Sequence, residues 1–171
     1  AALENWKNRV GQATATKIKN EASSRGNSLH TYVENYLKNR VNESFFESNE
    51  LYKNMANEII NKGIIGRLDE IYGTEVTLFY PEKYAGTADL IGVYEGKISC
   101  IDLKQSNRPK KPDYIQDYFL QLGAYTLAHD VVHGTKMETG IILLCTKDIL
   151  FQEFKIEGTE LEMYQNLFLG R

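Results

Sequence analysis

The sequence predicts a single mixed α/β domain, and three observations carry that expectation. Its hydrophobic period is helical up to about residue 63 and switches to the two-residue period of strands beyond it. Helical periods then return between and after the strands, over residues 113–133 and 158–169. At 171 residues the chain suits one core, burying roughly 70% of the surface an unfolded chain exposes. No repeat, low-complexity tract or linker divides it. Residues 1–63 therefore read as an N-terminal helical part and residues 64–171 as the α/β part of one domain.

Leu3, Trp6 and Val10 recur at helical spacing before Gly11, and Ala15, Ile18 and Ala22 continue in a second helix that Gly26 ends. Asn27 or Ser28 caps a third helix, whose apolar stripe is Leu29, Val33, Tyr36 and Leu37. A fourth begins near Ser48, turns Tyr52, Met55, Ala56 and Ile59 inward, and stops at Gly63. In the first strand Val76, Leu78 and Tyr80 alternate with Glu75, Thr77 and Phe79 until Pro81. Strands follow at 85–94 and 97–104. Pro109 and Pro112 mark a loop before the long helix at 113–133, which ends near Gly134. Strands at 139–146 and 149–155 precede the closing helix.

Apolar residues at 42% and charged residues at 25% describe a folded chain rather than a disordered one. The longest apolar runs are only a few residues, as at 141–145, so no membrane span is expected. No charged and apolar leader opens the sequence, which predicts an intracellular, cytoplasmic protein, in host cytoplasm if phage-encoded. Cys100 and Cys145 sit inside apolar runs and are too few for a four-cysteine zinc or iron–sulfur site. The net charge of −3 speaks against a nucleic-acid partner, but the average conceals a division. Residues 1–41 hold seven basic side chains against three acidic ones, and the remainder holds 13 against 20. Lys104, Arg108, Lys110 and Lys111 form a second basic cluster. A basic surface beside an acidic site accounts for this split, and so do solvated helix faces.

The stretch from Gly86 to Lys104 carries the chemistry. Glu95-Gly96 makes a two-residue turn, so Val93 faces Ile98, Ile91 faces Cys100 and Asp89 faces Asp102. Alternation then puts Asp89, Asp102 and Lys104 on one sheet face and Ala88, Leu90, Ile101 and Leu103 on the other. Opposed carboxylates on a partly buried face repel. Either one of them takes a proton or a hard divalent cation sits between them. A plain salt bridge to Lys104 is the structural alternative.

Asp89, followed after twelve intervening residues by Asp102-Leu103-Lys104, resembles the Gly-x-x-Asp … Asp-x-Lys form of the PD-(D/E)XK nuclease signature. Arg25-Gly26-Asn27-Ser28-Leu29-His30 with Glu34 is similar to the Arg-Gly-x-x-x-His-x-x-x-Glu motif of that superfamily's RecB-like branch. Gln121 and Tyr125 resemble its Gln-x-x-x-Tyr helix, and Glu75 the acidic residue that precedes the aspartate. These matches run from residue 25 to residue 125 in the family's order.

The resemblance implies a restriction-endonuclease-like α/β core, a mixed sheet flanked by helices behind an N-terminal helical region. It implies Mg²⁺ or Mn²⁺ held by Asp89, Asp102 and the Leu103 carbonyl, with His30 as a further ligand or orienting a ligand water, and no iron–sulfur cluster. Lys104 would position or deprotonate the attacking water, and Gln121 would hydrogen-bond at the metal site. Glu34 would orient His30, and Tyr125 would pack there or touch the substrate. Without the motif, His30 and Tyr125 read as packing groups, and Glu34 and Glu75 as solvent-facing charges. The implied activity is metal-dependent hydrolysis of DNA, from free ends of single strands, in replication, recombination or repair. Arg9, Lys17, Arg25, Lys38, Arg108, Lys110 and Lys111 are candidates for phosphate contacts, and Trp6, Tyr32, Tyr36 or Phe45 for stacking on bases. A structure-selective endonuclease, a non-catalytic nucleic-acid-binding module and a small-phosphoester hydrolase are the alternatives.

Overall fold

The computed structural model describes residues 29–38, 50–80 and 84–170. Five strands form one mixed sheet in the order β1-β2-β3-β4-β5: β1 Leu68–Tyr80, β2 Tyr84–Tyr94, β3 Lys97–Ser106, β4 Thr139–Thr146 and β5 Phe151–Glu157. All neighbours are antiparallel except β3 and β4, which run parallel. A parallel pair needs a long crossover, and α3 (Gln116–His133) supplies it, preceded by a 3₁₀ turn at Pro112–Tyr114. Helical residues 29–37 (α1) and α2 (Glu50–Ile59) come before the sheet, and α4 (Gly158–Leu169) follows it.

The helices cover both faces. Leu29, Val33, Met55 and Ile59 pack with Leu90, Ile101, Leu103, Ile141 and Leu143. Phe119, Leu122, Leu161 and Tyr164 pack on the other side with Ile91, Cys100, Ile142 and Leu144. Consecutive residues of β3 and β4 thus serve opposite cores, which is why β4 reads as an unbroken apolar run and is buried throughout. Among the described residues no helix is long and apolar enough to cross a membrane.

The two-residue turn forms as expected. Tyr94 pairs with Lys97, and Glu95 and Gly96 both take positive φ, 49° and 81°, the mirror-image turn that matches strand twist. Three expectations need correction. Helical structure passes through Gly63 as a π turn over Ile60–Ile64. There glycine provides space rather than a stop, since a Cβ would lie 3.0 Å from Leu143 Cδ1 and 3.1 Å from Phe151 Cε1. The first strand begins at Leu68, well before the alternating run at Val76. As an edge strand with two register shifts, its first half is largely exposed and carries no clean alternation. Third, Ala88 packs on the α3/α4 side, not with Leu90 on the other. Residues two apart in a regular strand share a face, so alternation breaks next to Asp89.

Candidate active site

That break builds the site. The β2–β3 ladder runs from Tyr94↔Lys97 to Leu90↔Ile101 and stops. The β1–β2 ladder is interrupted at the same place, between Thr74↔Leu90 and Val76↔Ala88, where Glu75 takes a left-handed φ of 47°. Where the next ladder pair would fall, the Asp89 carboxylate enters the seam, and its Oδ2 accepts the Leu103 N–H at 2.8 Å. A residue's N–H and C=O leave a strand on the same side, so the Leu103 carbonyl also faces this seam, beyond the last ladder pair.

Two helices close on the seam from opposite faces. From α1, His30 Nε2 lies 3.0 Å from Asp89 Oδ2. One turn on, Glu34 accepts from the Thr74 hydroxyl at 3.3 Å and pairs with Lys38. Glu34, Thr74, Glu75, His30, Asp89 and Leu103 line one small cleft. From α3, Gln121 Oε1 accepts from Lys104 Nζ at 3.0 Å, and Gln121 Nε2 donates to the Tyr125 hydroxyl at 2.9 Å. Gly86 makes this chain possible: a Cβ there would stand 2.7 Å from Tyr125 Cε1.

Asp102 and Lys104 lie on the α3 side of β3. Lys104 Nζ is 2.8 Å from Asp102 Oδ2, a charge contact whose angles miss hydrogen-bond geometry. That buried oxygen therefore relies on the charge of Lys104 rather than on a well-formed hydrogen bond. Burial pushes the Asp102 carboxyl up to about 7, with Lys104 opposing and Asp89 adding to the rise. Asp89 moves the other way. Its burial also disfavours charge, but His30, Asp102 and the Leu103 N–H together hold it down to about 2. Burial is the largest single influence on Lys104 and lowers its pKa, but Asp102, with Asp89 and Tyr118, together outweigh it, so the pKa lies above the usual lysine value. The Glu34 carboxyl is pulled down against its burial by Lys38 and by Glu75, and Glu75 is raised by the hydrogen bond it shares with Glu34.

Two carboxylates meet and a carbonyl faces the same seam, oxygen donors of the kind a small hard cation takes, while no group of three or more His, Cys, Asp or Glu side chains forms a metal site among the described residues. A cavity of about 450 Å³ lies elsewhere, against the start of β3 and of α4, where Lys97 and Glu157 neutralise one another.

The structure thus brings His30, Glu34, Glu75, Asp89, Asp102, Leu103, Lys104, Gln121 and Tyr125 to one locality. Asp89 and Asp102 meet across a seam, however, rather than side by side on one face. Arg9, Lys17, Arg25, Trp6 and Phe45 lie outside the described residues. Arg108 and Lys111 are exposed in the loop after β3, which Lys110 ties to Gln152 of β5 through its backbone. Tyr32 is only 7% exposed, so it packs the core instead of stacking on a ligand. Sequence reasoning gave no site role to Thr74 or Tyr118. The ring of Tyr118 sits under Lys104 Nζ, 4.8 Å from centroid to nitrogen. Its signal was present: residues 118, 121 and 125 share one helix face.

A mixed sheet covered by helices on both faces, with an Asp … Asp-x-Lys set at the seam of two strands, is the restriction-endonuclease-like fold with the PD-(D/E)XK pattern. The solved structure of an assigned exonuclease from Eubacterium rectale shares the fold at a TM-score of 0.54 and 15% identity, covering 84% of this chain and 63% of that one. In sequence the chain resembles mitochondrial genome maintenance exonuclease 1. It is 35% identical to the human protein over 71 residues, 39% of this chain and 20% of that protein. It is 27% identical to the Xenopus tropicalis protein over 158 residues, 85% of this chain and 44% of that protein. The chain therefore spans less than half the length of these curated relatives. No protein-family model matches it.

Proposed function

We propose that this chain is a metal-dependent DNA exonuclease acting on free ends of single strands. The observation that carries the reading is the buried Asp102 carboxylate, which lies against Asp89 and whose Oδ2 has the Lys104 ammonium at 2.8 Å but no well-formed hydrogen bond. The preference for DNA ends is supported by the resemblance to a mitochondrial genome maintenance exonuclease.

Asp89, Asp102 and the Leu103 carbonyl would hold Mg²⁺ or Mn²⁺. When bound, such an ion supplies Lewis acidity toward a phosphoryl oxygen and lowers the pKa of a coordinated water. The protein's own groups do the rest. His30 and the Leu103 N–H fix the Asp89 carboxylate from two directions, so its orientation is set before any ligand arrives. Glu34 shares the α1 face with His30 and steadies that side of the cleft through Thr74. Lys104, a cation held by Gln121, donates to the phosphate and stabilises charge that builds on it. Tyr125 anchors Gln121 in turn. Arg108 and Lys111, exposed a few residues beyond Lys104, are placed in sequence to meet further phosphates along the strand.

The test is a panel of single-stranded, duplex, flap and circular DNA, each linear form labelled at either end, incubated with Mg²⁺. Stepwise loss of label from one end of linear single strands is expected, with no product in EDTA or from Asp102→Ala and Lys104→Ala. Cleavage of the circle would replace the exonuclease with an endonuclease. Full activity in either variant would refute the site.

A further inference from the structure

We propose that Tyr118 is a positioning residue for Lys104: the face of its ring seats the ammonium group and keeps it aimed at the reacting phosphate. This rests on the nuclease reading above and adds a residue outside the motifs that suggested it.

Among the described residues, three groups stand around the Lys104 ammonium. Asp102 Oδ2 lies 2.8 Å away, Gln121 Oε1 3.0 Å away, and the Tyr118 ring centroid 4.8 Å away. The first is off hydrogen-bond geometry, and it weakens further whenever Asp102 gives that oxygen to a cation. Gln121 then offers a single neutral acceptor to a long side chain with several rotatable bonds. One such bond does not fix the position of the nitrogen. The aromatic face attracts a cation over a broad area without claiming any particular N–H, so it holds Lys104 while leaving donors free for phosphate.

The seat is itself anchored. Tyr118 stands one turn before Gln121, so a single helix sets both contacts. Its neighbours Ile115 and Phe119 are 2% and 5% exposed, which pins this end of α3 to the sheet. The Tyr118 ring packs against the same core, so the face under Lys104 is not free to turn away. A tyrosine serving only as packing has no need to place a cation over its face.

The experiment varies the electrons of the ring at nearly constant shape. Tyr118→Phe is expected to keep kcat within about twofold, and Tyr118→Leu to lower it about tenfold with KM little changed. Phenylalanine carrying one, two and three fluorines at position 118 is expected to lower kcat stepwise at constant melting temperature. In metal-free protein, the Lys104 ε-methylene is expected to resonate upfield of other lysines, shielded by the ring, and to lose that shift in Tyr118→Leu. Wild-type kcat in Tyr118→Leu, or a kcat indifferent to fluorination, would overturn the proposal. An inactive wild type would overturn the nuclease reading and the catalytic use of the seat, while an upfield methylene would still report the seat itself.

Discussion

Replacing Asp102 with asparagine keeps the shape of the side chain and removes the group that titrates most anomalously in the site. In the folded protein burial pushes that carboxyl from the usual 3.8 up to about 7. Between those values the unfolded state binds fewer protons than the folded one, so stability falls as pH rises. The contribution is whole below pH 4 and gone above about pH 8. At 1.36 kcal/mol per pH unit the fall is on the order of 4 kcal/mol, an upper bound because Asp89 and Lys104 relax around the new charge. Asp89, held down to about 2, is ionised in both states above about pH 5 and adds almost no slope there. The assay is urea denaturation in EDTA from pH 5 to 8.5, comparing wild type with Asp102→Asn. Their difference cancels groups common to both, and comparing slopes cancels the lost counterion of Lys104. Wild type should lose about 3 kcal/mol more than the variant across the range, equivalent to roughly 6–12 °C in melting temperature. Saturating Mg²⁺ at pH 8 should restore the wild type by about 2.7 kcal/mol at a hundredfold excess over Kd, and leave the variant where it was. Parallel stability curves, or equal stabilisation of both proteins by Mg²⁺, would refute the reasoning.

Three further perturbations test the scaffold. Gly86→Ala puts a methyl 2.7 Å from Tyr125 Cε1, displacing Tyr125 from Gln121. It should cost about 1–3 kcal/mol by denaturation and lower kcat about tenfold or more by loosening Lys104. Gly96→Ala forces a side chain to φ 81° in the β2–β3 turn, at a cost of about 1–2 kcal/mol. Its turnover number should match the wild type, because the turn is at the far end of the hairpin. Tyr94→Phe strips a buried 2.7 Å hydrogen bond from the Gly63 carbonyl, which lies within the π turn that the Ile65 N–H closes on the Ile60 carbonyl. Denaturation should show a loss of about 1–2 kcal/mol with the fold retained by circular dichroism.

The parts of the fold that were legible in the sequence are those where one physical rule acted alone. The hairpin register followed from a two-residue turn and strict alternation, and pairs Val93 with Ile98 and Ile91 with Cys100 as expected. The closing helix spans Gly158–Leu169 and β4 spans Thr139–Thr146, each marked by an unambiguous period or apolar run. The first half of β1 was not legible, since an exposed edge strand needs no apolar face and its register shifts erase any period. Asp89 was legible as a candidate, but its placement was not, for a more instructive reason. A regular strand would have set two carboxylates side by side on one face, where repulsion and burial act together. Instead, the alternation slips by one residue, and Asp89 leaves its face to take the Leu103 N–H that the ladder would have satisfied. The slip spares the sheet an unpaired donor and frees the Leu103 carbonyl from the ladder. It also lets helices from both faces contribute, His30 from one and Gln121 through Lys104 from the other. A substitution that restored regular pairing at this point would close the sheet, and in closing it would remove the site.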